Sequence, residues 1–164
     1  RCLSDWSSDV CSSDLLFFPG ATRSKKQVVA STNGPQYAVA EMYEVNTSSH
    51  FDEFGNAGYG VNYMNYSNSD IIRMPEDMQK KFVYENSVKN PLILNGGKLI
   101  SVNESTIDGT WCIELKALAL GGRIELKAKS FFKNHYLYQI MVLSIPNKSE
   151  NDASRRFMES FHAK

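Results

Sequence analysis

His50, Asp52 and Glu53 fall within four residues in a polar stretch. A histidine beside two carboxylates is the raw material of a metal site or an acid/base pair, and Asn56 could add an oxygen ligand for a divalent cation. One histidine with acids on a loop is not a ligand framework, so a solvated connection between strands is the expected role. Cys112 is the one thiol outside the first fifteen residues. As a nucleophile it would need a base, and His135, two elements further on, is the candidate; no local signature joins them, and a small buried hydrophobe is the ordinary fate of a free cysteine. Tyr37, Tyr43, Tyr59, Tyr63, Tyr66, Tyr136 and Tyr138 could line a ligand groove, although aromatics at period two more often form core and cross-strand pairs. The glycines at 20, 34, 96–97 and 121–122 are spaced as turns and build no phosphate-cradling loop. Lys25-Lys26, Lys80-Lys81 and Arg155-Arg156 read as solvated basic pairs. No catalytic, cofactor-binding or metal-ligating residue is therefore assigned, and no cofactor is expected.

These residues are carried by alternating strands. Leu16–Phe18 ends at Pro19-Gly20, and Gln27–Ser31 passes through Asn33-Gly34, a hairpin signal, into Tyr37–Val45. Ser48–Gly58 is a loop and Tyr59–Tyr66 alternates again. Pro75 opens a helix with Glu76 and Asp77 in its first turn and Met78 and Phe82 on its apolar stripe; Asn90-Pro91 ends it. Lys98–Val102 is a strand. Trp111–Leu118, Arg123–Phe132 and Tyr136–Ser144 form an antiparallel meander. In the middle strand Ile124, Leu126, Ala128 and Phe132 are expected to face in, while Arg123, Glu125, Lys127 and Lys129 face water. Tyr136–Ser144 is apolar on both faces, which places it centrally. A final helix over 151–161 carries Phe157, Met158 and Phe161 on one side, with Ser149 and Asp152 as a capping box. Tyr37–Val45 is apolar on both faces as well, and two such strands require cover on both sides. The predicted fold is α+β, an α/β/α sandwich whose central, mostly antiparallel sheet has helices on both faces.

The 164 residues carry 18 basic and 18 acidic side chains and 42% apolar residues, the size and composition of one ordinary domain. The balanced charge removes the electrostatic footprint of a nucleic-acid binder, and no apolar run is long enough to span a membrane. Residues 1–15 stand apart. Asp5 through Leu15 match, codon by codon, a translated sequencing-library adapter, and no apolar period runs through them. They are read as an artefact and set aside, leaving 17 basic and 15 acidic residues in 16–164, a single domain whose native N-terminus is missing. Trp6 and Val10 are expected to contribute nothing to the core.

The order and spacing of several motifs resemble one family. Phe18-Pro19-Gly20, Tyr59-Gly60-Val61-Asn62-Tyr63, Gly96-Gly97-Lys98-Leu99-Ile100, Asp108-Gly109, Tyr138-Gln139 and Arg156-Phe157-Met158-Glu159-Ser160-Phe161 together resemble the bacterial PsbP-like domains. These share a fold with the extrinsic PsbP subunit of the oxygen-evolving complex and the Ran-binding Mog protein. Trp111-Cys112 departs from the pattern, where family members tend to have Pro-Gly. The resemblance implies an exported or lipid-anchored, non-enzymatic accessory domain of the bacterial envelope that acts as a monomer on another protein. It carries over no catalytic residue. The alternative is a small-molecule or metal-binding protein, or an enzyme, using the His50/Asp52/Glu53 loop or a tyrosine-lined pocket.

Overall fold

A computed structural model of the chain describes residues 51–67, 69–89 and 96–162, together with the backbone of 23–30 and 37–46. Its strands are β1 (Arg23–Ala30), β2 (Tyr37–Asn46), β3 (Asn56–Asn65), β4 (Lys98–Ile107), β5 (Thr110–Ala119), β6 (Ile124–Lys133) and β7 (Tyr136–Ser144). They form one antiparallel sheet in the order β1-β2-β3-β7-β6-β5-β4. The strand expected to be central, β7, is the fourth of the seven. Two-residue turns close the hairpins where the sequence has turn formers. Asp108 and Gly109, at φ 49° and 72°, join Ile107 to Thr110, and Asn134 and His135, at 48° and 66°, join Lys133 to Tyr136; positive φ at both positions matches the twist of the flanking strands. Leu16–Phe18, Asn33-Gly34, Asn90-Pro91, Trp6 and Val10 lie outside the described residues.

Helices cover both faces. The C-terminal helix α2 (Asp152–Glu159) lays Ala153, Phe157 and Met158, with Phe161 just beyond it, onto Tyr59, Val61 and Tyr63 of β3, Tyr138, Ile140 and Val142 of β7, Phe131 of β6 and Cys112 of β5. The rings interlock: Tyr59 meets Phe157 edge-on at 5.2 Å, and Phe131 stacks on Tyr138 at 5.1 Å. This is the placement expected of Phe157 and Phe161.

The opposite face carries α1 (Glu76–Tyr84), which runs into a wider π-helical turn, Glu85–Lys89. A π turn adds one residue to the repeat, so Val83, Ser87 and Val88 are all buried. Val88 packs on Ile113, Leu115, Ala117 and Ala128, while Phe82 meets Tyr66, which in turn meets Phe132. Among the described residues, no helix is long and apolar enough to cross a membrane.

Two local expectations are corrected. The cap of α2 is Asn151, whose side-chain oxygen accepts the Ser154 N–H at 2.8 Å. Ser149, read as half of a capping box, turns instead to Glu125. Glu125 in turn, expected in water, is 1% exposed. Alternation on β6 separates two covered faces rather than core from solvent, so a charged residue at the solvent period is enclosed by residues 145–150 leading into α2.

Phe157 is fully enclosed, so Phe157→Ala should cost about 3–5 kcal/mol and lower the midpoint of chemical denaturation without changing its slope.

Candidate functional site

Of the His50/Asp52/Glu53 group, His50 lies outside the described residues and Glu53 is exposed. Asp52 is committed to structure. Its Oδ1 accepts the backbone N–H groups of Phe54 and Asn56 at 2.9 and 2.7 Å, and its Oδ2 accepts the Tyr59 hydroxyl at 2.6 Å. Aspartate favours this role because its short carboxylate reaches amides two residues on. Burial first, then the bond to Asp52, pushes the Tyr59 phenol far above its usual range.

Asn56, fully buried, extends the group across the fold. Its Nδ2 donates to the Tyr59 hydroxyl at 2.7 Å and to Asn151 Oδ1 at 3.2 Å; its Oδ1 accepts from Asn151 Nδ2 at 2.9 Å and Ser154 Oγ at 3.1 Å. The start of β3 is thereby joined to the first turn of α2. Among the described residues, no three His, Cys, Asp or Glu side chains converge as metal ligands.

Cys112 is fully buried, and its Sγ lies 2.9 Å from Ser105 Oγ on the paired strand. Ser105 also lies 2.8 Å from Glu114 Oε1. Burial alone would raise the Glu114 carboxyl, but the bonds from Lys129 and Ser105 outweigh it and hold the group below its ordinary value; Lys129 sits at 2.9 Å. An ionised carboxylate only accepts, so the single Ser105 proton points to Glu114 and the thiol must donate to Ser105. The polar partner of Cys112 is thus a serine rather than His135, which stands in the β6–β7 turn. Burial also raises the thiol's pKa, the reverse of what a nucleophile needs.

Beside this chain lies a ladder of lysines and glutamates on the α2 face of β5 and β6. Lys116 and Lys127 face each other across the strands. Lys116 pairs with Glu125 at 3.1 Å, and Lys127 with Glu150 at 2.7 Å. Glu125 also accepts from the Asn147 N–H at 2.9 Å and from Ser149. Burial pushes its carboxyl up, but these donors and Lys116 prevail and hold it below its ordinary value.

The tyrosines divide into core rings. Tyr59, Tyr63 and Tyr138 pack under α2, and Tyr66 packs between Phe82 and Phe132. They fill the interior instead of lining a groove; the side chains of Tyr37 and Tyr43 lie outside the described set. One polar group escaped sequence reasoning. Asn62 Nδ2 donates to Gln139 Oε1 at 3.0 Å, and Gln139 Nε2 donates to the buried Ser87 at 3.0 Å. This bridge pins the π turn to the middle of the sheet. Asn62 and Gln139 are polar residues inside otherwise apolar strands, which was the available signal; their direct cross-strand pairing was not readable from sequence.

Comparison with known proteins bears on the fold. No protein-family model and no curated protein sequence matches the chain. Among solved structures, PA94 from Pseudomonas aeruginosa, a protein of unknown function, superposes with a TM-score of 0.52 over 85% of this chain and 97% of its own, at 13% identity. Cyanobacterial PsbP (CyanoP) from Synechocystis sp. PCC 6803 aligns over 92% of this chain and 99% of its own, also at 13% identity, with a TM-score of 0.41. The likeness is one of fold, shared here with PA94, and the α+β sandwich expected from the PsbP-like motif order is the architecture found.

Two outcomes follow from the geometry. In native protein Cys112 should resist iodoacetamide near neutral pH and be labelled fully after unfolding, read by intact mass. For Glu125, a folded pKa below the unfolded 4.5 means stability present above that pH and lost as pH falls through the folded value. Glu125→Gln should therefore flatten the fall in denaturation midpoint below about pH 4.5.

Proposed function

We propose that the chain is a non-catalytic accessory domain of the bacterial envelope, exported from the cytoplasm, that acts by binding another protein. The observation that carries this reading is the commitment of its chemically able side chains to the fold. Asp52 and Tyr59 hold a loop closed, Glu125 anchors the segment before α2, and Cys112 donates its proton into a serine–glutamate–lysine chain. An acid, base or nucleophile needs a free lone pair or a mobile proton at an accessible atom, and each of these groups has that capacity engaged in buried or half-buried bonds. The location and the accessory role are taken from the resemblance to PsbP-like domains.

Cross-linking the tagged protein in its native host, followed by mass spectrometry, should recover one stoichiometric protein partner from the envelope fraction. A turnover measured with the purified chain and abolished by Cys112→Ala or Asp52→Asn would overturn the reading, as would recovery of the native protein in the cytoplasmic fraction alone.

A further inference from the structure

We propose that one end of the sheet is a membrane-surface contact that seats the domain on an anionic lipid bilayer. Strand pairing brings several chain segments to this end. Ser144 of β7 pairs with both Asn56 of β3 and Glu125 of β6, Ala119 of β5 with Ile124 of β6, and Lys98 of β4 with Leu118 of β5. The starts of β3, β4 and β6 and the ends of β5 and β7 therefore share one edge, roughly 19 Å across at the usual strand spacing. Phe51, Phe54, Leu99, Ile100, Leu120 and Ile145 are grouped there and are 37–58% exposed. Among the described residues the remaining exposed large apolar side chains are Leu143, near this end of β7, and Met74, Met78 and Tyr84 of the α1 layer.

Two of these tips are held in place. Asp52 closes the turn that carries Phe51 and Phe54, and Ile145 N–H donates to Gly55 O at 2.9 Å beneath it. Leu120, the most exposed of the group at 58%, has φ 51°, a left-handed conformation that costs a branched side chain energy. The Arg123 guanidinium donates to Leu120 O at 3.1 Å and braces this turn. A strained leucine held in solvent points to a use for its position.

Charge selects the occupant. Lys98, Arg123 and Lys148 are exposed at this end, and none makes an ion pair with a described residue; among the described residues of these segments the exposed acids are Glu53 and Glu150, and Glu150 is already paired with Lys127. Apolar tips among unpaired cations suit an anionic headgroup layer, where the side chains enter the acyl boundary and the cations meet phosphates. A second copy meeting the same end would set three cations against three. A protein partner would need a matched surface for separate projecting tips, whereas a fluid bilayer needs none.

The full chain should co-sediment with vesicles of phosphatidylcholine and phosphatidylglycerol, bind pure phosphatidylcholine far less, and be released as salt is raised to about 0.5 M. Phe54→Ser combined with Leu120→Asn should lower partitioning by about tenfold or more with an unchanged denaturation midpoint, since asparagine tolerates φ > 0. Lys98→Glu with Lys148→Glu should do the same without touching an apolar tip. Equal binding to neutral and anionic vesicles, no binding at low salt, binding indifferent to both double variants, or a dimer in sedimentation velocity that Phe54→Ser dissociates would each overturn the proposal.

Discussion

The reciprocal amide pair between Asn56 and Asn151 is the interaction on which much of the rest depends. Each side chain donates to and accepts from the other across 95 residues of sequence. The pair sits where the first residue of β3 meets the cap of α2, so it sets the position from which Phe157 and Phe161 reach the sheet. The remaining capacity of each amide is also engaged: Asn56 meets Tyr59 and Ser154, and Asn151 accepts the Ser154 N–H and donates to Lys148 O. Removing either amide would leave buried donors and acceptors unmatched, which costs more than the bonds themselves contribute.

The same group explains why promising chemistry turns into architecture. Asp52 and Tyr59 extend the Asn56 cluster toward the surface, so the loop tip is held by hydrogen bonds although it is exposed. At the far side of α2 the buried Glu125 has a similar office. It accepts from Ser149 and the Asn147 amide and pairs with Lys116, which fixes the irregular segment 145–150. Asn147 itself has φ 65°, a conformation asparagine tolerates better than most residues. Both networks seat a helix on a sheet, and in each the carboxylate, Asp52 or Glu125, is one whose sequence context assigns it to chemistry or to solvent.

Both faces of the sheet are covered, and this constraint governs what could be read in advance. Strand existence is legible from apolar residues at period two, and the centrality of Tyr136–Ser144 from apolar residues on both of its faces; its bounds agree with β7, and those of β5 and β6 agree to within about a residue, inside the usual boundary scatter. In or out was not legible on β6, because alternation on a doubly covered strand marks two interiors. Glu125 and Phe131 followed the period of Lys127 and Lys129, yet they are buried and those lysines are half-exposed. The cap of α2 lies two residues beyond the expected Ser149, at Asn151, for a related reason. Ser149, Asn151 and Asp152 can all cap a helix, and long-range partners decided which one does.

What the sequence by itself determined is the periodic part: an α+β sandwich, its central strand, a turn before Tyr136 (expected at Lys133-Asn134 and found one residue on, at Asn134-His135), and the apolar stripe of the last helix. These rest on local sterics and on periods of 2 and 3.6, which need no knowledge of distant neighbours. Tertiary structure alone decided the roles of polar residues. Whether Asp52 is a ligand or a brace, whether the Cys112 thiol gives or receives a proton, and which partners Gln139 finds depend on which atoms from β3, β4 and the π turn stand within about 3 Å. A polar side chain has no period to announce its fate; its state is set by the few donors and acceptors that folding brings to it.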